Sequence, residues 1–183
     1  MAFTLPDPGP PNLDFERPAD RARLQRTAAA LAARGFKAQV ADTAAHAREL
    51  VLGAIPDGSE VHIALSETMR ELGITEEIDE SGRYDSIRAR LSTLDRETQG
   101  REMRKLGAYA YAGGNVILVV GHQKLVSDLD EGLRRVREYS LPREFLRMQD
   151  IGYPGSLLAK TLIIHHEPSA RITVILVPET LGF

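Results

Sequence analysis

The 183-residue sequence predicts one α/β domain built on a mostly parallel, doubly wound sheet, with an antiparallel element near the C-terminus. Three observations carry that expectation. Apolar strand-like runs alternate with amphipathic helical runs along the chain, which is the pattern of βαβ units. The best strand, VILVVG at 116–121, is continuously apolar, as a strand covered on both faces must be. The last two apolar runs, TLIIHHE at 161–167 and ITVILVPETL at 172–181, are joined only by PSAR, too short for a crossover helix.

Residues 1–18 are rich in proline and acidic, and form an arm ahead of the α/β domain at 19–183. The arm has neither a basic n-region nor an apolar h-region, so a secretory signal is not expected. Residues 18–34 set Leu24, Ala28 and Leu31 on one helical face, with Gly35 as C-cap. KAQVAD at 37–42 reads as a short strand. Thr43 can cap a helix that runs to Ile55 and stops at Pro56-Asp57-Gly58.

VHIAL at 61–65 is a compact strand, and SETMRELGI after it opens a short helix in which Thr68 and Glu71 have capping-box spacing. A long helix is expected from Asp85 to Lys105, with Ile87, Leu91 and Leu94 on one face. Beyond the strand at 116–121, Val126, Leu129, Leu133 and Val136 form a helical stripe, with Glu131 and Arg135 as an i,i+4 pair on the opposite face. Pro142 marks a new helix start, running through Met148.

Composition narrows the function classes. A formal charge of −3 and a pI near 6.0 give no basic stripe for nucleic acid. The chain has no cysteine, which removes disulfides, thiolate nucleophiles and Cys-ligated metal or Fe–S centres from consideration. No apolar run approaches the roughly 20 residues a membrane span needs. A cytoplasmic protein without an intrinsic cofactor is expected.

In a doubly wound sheet, ligands bind beyond the C-terminal ends of the strands. Two junctions there carry suitable groups. Ser66, Glu67 and Thr68 follow VHIAL and offer hydroxyls and helix-start N–H groups to a phosphate or carboxylate, although plain capping accounts for the same residues. Gly121, His122, Gln123 and Lys124 follow VILVV and combine close backbone approach, an acid–base group and a cation, although a polar turn opening a helix accounts for these too.

The loop Ile151–Ser156 lacks the glycine spacing of a dinucleotide or nucleoside triphosphate site. His165 and His166 would face opposite sides of a strand, and Asp128, Asp130 and Glu131 suit a helix start better than a metal. Tyr109 and Tyr111 beside Gly113-Gly114 either line a cleft or pack on a helix. No metal site is expected and the catalytic residues stay undefined.

Taken in order and spacing, EVHIALSETMRELGI, GAYAYAGGNVILVVGHQKLVSDLDEGLRRVREYSLP and TLIIHHEPSARITVILVPETLGF resemble the LUD-domain family, the lactate utilization proteins of the LutC and YkgG type, from about Asp20 to Phe183. The resemblance implies a fold similar to the NagB/RpiA/CoA-transferase-like group and a place in bacterial L-lactate (2-hydroxy acid) oxidation beside Fe–S partner subunits. It also implies a small anionic ligand at Ser66–Thr68 and Gly121–Lys124, which fall on the family's two strand-end motifs. Two other expectations stand beside it: a non-catalytic assembly protein, and an isomerase- or transferase-like enzyme acting on a phosphorylated or CoA-linked small molecule.

The chain departs from the family pattern between Lys105 and Tyr109, where a strand–turn–strand unit is missing. Either the sheet is rearranged there or a further segment exists. A homodimer is expected if ITVILVPETL lies at a sheet edge.

Overall fold

The computed structural model describes residues 5–64, 66–95, 97–101 and 114–183. In chain order these form α1 (Arg21–Ala32), β1 (Lys37–Val40), α2 (Ala44–Gly53), β2 (Glu60–Val61), α3 (Glu67–Glu71), α4 (Ile74–Glu80), β3 (Asp85–Ser86), α5 (Ile87–Ser92), β4 (Val116–Gly121), α6 (Leu129–Arg135), α7 (Leu141–Asp150) and β5 (Ile172–Val177). The main sheet has the order β1-β5-β4, and both pairings are parallel, with Lys37 opposite Thr173 and Val116 opposite Ile172.

The last strand is therefore the central one, which explains why ITVILV is almost wholly apolar. Its alternate residues point to opposite faces. Ile172, Val174 and Leu176 pack with Leu24 and Phe36 beneath α1, while Ile175 and Val177 pack with Ala47 and Val51 of α2 and Ile74 and Ile78 of α4. Both faces are thus covered by helices, and the expected α/β architecture with a parallel sheet is present.

The antiparallel element is not. Among the described residues every ladder is parallel, and 161–167 joins none. With β1 and β4 on its two sides, β5 has no edge left for a hairpin partner. The chain before it is held instead by the Glu167 N–H, which donates to the Arg34 carbonyl at the end of α1 (2.8 Å). Leu162 is left 83% exposed. The same central position rules out pairing of β5 with another copy of the chain.

Two further expectations change. The strand at 61–65 shrinks to the two residues of β2, which pair in parallel with β3 as a separate small ladder; Leu65 lies outside the described residues. The helix expected over 85–105 ends at Ser92. Ser92 and Thr93 donate their hydroxyls to the carbonyls of Ala89 and Arg90 (2.7 and 2.8 Å), and Asp95 accepts from the Glu97 and Thr98 N–H groups (2.9 and 2.8 Å). Such local bonds compete with helix propagation. The chain is helical again at 100–101, and 102–113 lies outside the described residues, as do Lys105, Tyr109, Tyr111, Gly113 and the Lys105–Tyr109 junction at which a further segment or a rearranged sheet is expected.

Pro142 stands in the first turn of a helix that covers the expected residues, but no break precedes that helix. Helix α6 passes through a π-turn at Val136–Ser140 directly into α7, with Pro142 in the first turn of α7. Proline has no N–H for the carbonyl four residues earlier. That carbonyl, of Glu138, accepts instead from the Asn12 N–H (2.7 Å), and the Asn12 side-chain amide donates to the Glu138 carboxylate (3.0 Å). The arm is docked at this point: Phe15 is buried under the Arg134 guanidinium (5.2 Å), and Tyr139 donates its hydroxyl to Glu16 (2.8 Å).

The buried side of this helical stretch is Arg135, Tyr139, Pro142 and Phe145 rather than the predicted stripe, of which Leu129 is 48% exposed. The pair between Glu131 and Arg135 is also absent. Glu131 turns back to accept from the N–H and hydroxyl of Ser127 (2.6 and 2.7 Å), and Arg135 is buried.

Candidate functional site

The C-terminal end of β4 and the start of α3 meet across the segment that follows β5. Gly121 closes β4 where a methyl group would lie 2.8 Å from the Leu181 nitrogen and 2.9 Å from the Glu179 oxygen, so only glycine lets the two chains pass this closely. The next three residues, His122–Lys124, form a single tight 3-10 turn. This turn separates the roles of residues that look equivalent in sequence. Gln123 points inward and donates to the carbonyls of Leu181 and Gly182 (3.0 Å each), and the His122 N–H donates to the Glu179 carbonyl (3.2 Å). The His122 ring lies at the margin, 3.1 Å from the Thr180 hydroxyl.

Lys124 points the other way, toward α3, and donates from Nζ to Thr68 Oγ1 (2.8 Å). Thr68 is buried and donates in turn to the Leu181 carbonyl (3.3 Å). Ser66 caps α3 by accepting from the Met69 N–H (3.3 Å). The Gly182 N–H donates to Glu71 at the end of α3 (2.7 Å). Gly182 has a φ of +55°, and a Cβ there would press on Thr68 and on Lys124 Nζ.

Ser66, Glu67, Thr68 and Lys124, with Glu144 of α7 and Phe183, line a cavity of about 170 Å³. Taking roughly 30 Å³ per liquid water, that is space for a metabolite of a few heavy atoms. The two strand-end motifs singled out in the sequence meet at this cavity through Ser66, Glu67, Thr68 and Lys124, whereas Gly121, His122 and Gln123 do not line it and pack instead against residues 179–182.

The two carboxylates on the wall are already partnered. Glu67 accepts from Arg70 (2.6 Å) and lies 3.4 Å from Arg147, and Arg147 also forks onto Glu144 (2.6 and 2.8 Å). Lys124 has no carboxylate within ion-pair distance among the described residues. Burial, and then the nearby cation Arg135, lower its ammonium from the ordinary 10.5 to about 8, against the opposing pull of Glu71.

Arg135 itself is 6% exposed, stacked 4.8 Å from the Tyr139 ring, with one nitrogen on Ser140 Oγ (2.9 Å) and its Nε and second terminal nitrogen unbonded. Burial lowers its pKa as well. Lys124 and Arg135 thus bring two cations, opposed by Glu71, next to two hydroxyls, a setting that favours an anion.

Sequence reasoning missed Glu144, Arg147, Arg135 and Phe183. Only the Glu144–Arg147 spacing of three residues carried a local signal, and that reads as an ordinary surface helix pair. The other sequence candidates lie elsewhere. The Ile151–Ser156 loop is apart from the cavity, with Gly155 against the Phe145 ring. His165 and His166 are exposed on irregular chain. Asp128 and Glu131 are capping groups, and the N–H groups they accept from, of Glu131 and Ser127 respectively, hold their carboxyls below the usual range. No cluster of three or more metal-binding side chains occurs among the described residues, and no helix among them is long and apolar enough to cross a membrane.

Comparison of the chain with family models, with curated proteins and with solved structures gave no match.

Proposed function

We propose that this chain is a LUD-type subunit of bacterial lactate, or related 2-hydroxy-acid, utilization, and that it holds a small anionic ligand in the cavity between α3 and the β4 end. The family part of this reading rests on the order and spacing of the three sequence stretches quoted above. The ligand part is carried by one observation: the Lys124 ammonium lines the cavity with no carboxylate at ion-pair distance among the described residues, beside Thr68 and Ser66, while Glu67 and Glu144 are neutralised by Arg70 and Arg147.

A ligand selective for the native state must raise its melting temperature, by about 2.7 kcal/mol of added stability at a hundred times Kd. For a chain of this size that is a rise of about 5–10 °C. The experiment is a melting series with lactate, inorganic phosphate, sugar phosphates and CoA, on the wild type and on Lys124→Met. A rise for at least one anion that is lost in the variant supports the site. No change with any of them removes the ligand from the proposal.

A second reading, a subunit whose task is docking to Fe–S or oxidoreductase partners, is favoured by the exposed apolar residues Leu157, Leu158, Leu162, Ile163 and Ile164. Co-sedimentation with such subunits that Leu162→Glu together with Ile164→Glu abolishes would support it. Co-sedimentation unaffected by that pair would count against it.

A further inference from the structure

The cationic side chains of this chain are overwhelmingly arginine: of 23 Lys and Arg, the lysines are Lys37, Lys105, Lys124 and Lys160 alone. Lys124 stands in the cavity wall, where an arginine would carry the same charge with a more directional grip on a carboxylate or phosphate. Lysine can do what arginine cannot, which is to shed its proton near neutral pH and present a lone pair.

We propose that Lys124 is an amine nucleophile, whose Nζ condenses with the carbonyl carbon of a small aldehyde or ketone bearing an anionic group to form an imine in this cavity. The proposal rests on the reading of the cavity as an anion site and adds a covalent step to it. Three features of the geometry carry it. Nζ is held at one position by its bond to Thr68 Oγ1 (2.8 Å), so that it does not swing into solvent. It lines the cavity with no carboxylate at ion-pair distance among the described residues, and burial and the nearby cation Arg135 disfavour its charge against the weaker pull of Glu71. A lysine desolvated next to another cation is a recognised way to obtain a free amine. Once Nζ is neutral, Arg135 still supplies the field that draws an anionic substrate.

The step balances without an oxidant or reductant. The Nζ lone pair forms the C–N bond while the carbonyl π pair moves to oxygen, and the surplus proton on nitrogen passes through solvent water to that oxygen, giving the carbinolamine. The nitrogen lone pair then expels the hydroxyl, protonated from solvent, as water. The protonated imine so formed returns one proton to solvent. One amine and one carbonyl yield one imine and one water.

The test is reductive trapping. The protein is treated with glyoxylate and cyanoborohydride near neutral pH, and modified lysines are located by peptide mapping, with the exposed Lys37 and Lys160 as internal standards. At such a pH an amine titrating near 8 has a neutral fraction about two orders of magnitude above that of an ordinary lysine. Lower basicity reduces its intrinsic nucleophilicity, so the expected labelling of Lys124 is on the order of tenfold faster than at the standards. Inorganic phosphate should slow labelling at Lys124 and leave Lys37 unchanged, a comparison that needs no variant to fold. Lys124→Arg should lose the fast phase. Labelling spread without preference over Lys37, Lys124 and Lys160, or a fast phase that survives Lys124→Arg, overturns the proposal. If labelling shows no preference while phosphate still raises the wild-type melting temperature, the imine falls and the anion site stands; if neither occurs, both fall.

Discussion

Replacing Lys124 by methionine should make the protein more stable at neutral pH, which is the reverse of what loss of a hydrogen-bonded side chain normally does. The native ammonium titrates at about 8 rather than 10.5, and it is mostly buried. At 1.36 kcal/mol per pH unit, holding that charge in place of a solvated one costs about 3 kcal/mol, which the partial openness of the cavity reduces to about 2–3 kcal/mol. Methionine has similar length and no charge. The variant loses the bond from Nζ to Thr68, worth about 1 kcal/mol, but Thr68 keeps its own bond to Leu181. The net gain is about 1–2 kcal/mol, or about 2–8 °C in Tm.

The pH dependence gives the stricter test. Between pH 8 and 10.5 the unfolded chain binds more protons at this residue than the folded one, so wild-type stability gains from rising pH over that window. Below pH 8 the penalty is present in full; above 10.5 it is gone. The difference between Lys124→Met and wild type, measured by urea denaturation at a series of pH values, should be positive and flat up to about pH 8, then shrink and change sign by about pH 10.5. The difference is read against wild type so that titration of tyrosines and other groups cancels. A variant destabilised by the same amount at pH 7 and pH 10 would refute the reasoning, because it would mean that Nζ is solvated and its bond to Thr68 is simply stabilising.

Three other outcomes follow from the packing. Gly121→Ala drives a methyl group against the backbone of Leu181 and Glu179, and should cost about 1–3 kcal/mol in urea denaturation, although its φ of −64° suits any residue. Leu162→Glu, at a position 83% exposed and outside every ladder, should leave stability within about 0.5 kcal/mol of wild type; a loss of several kcal/mol would mean that 161–167 is a buried strand after all. Tyr139→Phe removes the hydroxyl bond to Glu16 and should cost about 1 kcal/mol, with faster proteolysis within residues 5–16 as the arm loosens.

The elements governed by local chemistry were legible from the letters. Thr43 and Ser66 each cap a helix through their side chains, Asp128 stands at a helix start, and the apolar run at 116–121 is a strand. The expectation of a crevice beyond the strand ends also led to Ser66, Glu67, Thr68 and Lys124, which line one cavity, because parallel sheets have that geometry whatever their order. What only the tertiary structure decided is which strand is central. ITVILV and the apolar run at 162–164 both read as strands, yet the first takes the middle of the sheet and the second stays outside it, since an apolar run alone does not say which strand finds partners on both sides. The tertiary structure likewise decided that Lys124 meets Thr68, 56 residues away, and that Arg135, charged in every sequence reading, is buried beside them. Burial and the company of distant charges are properties of packing, and the chemistry proposed for Lys124 comes from them.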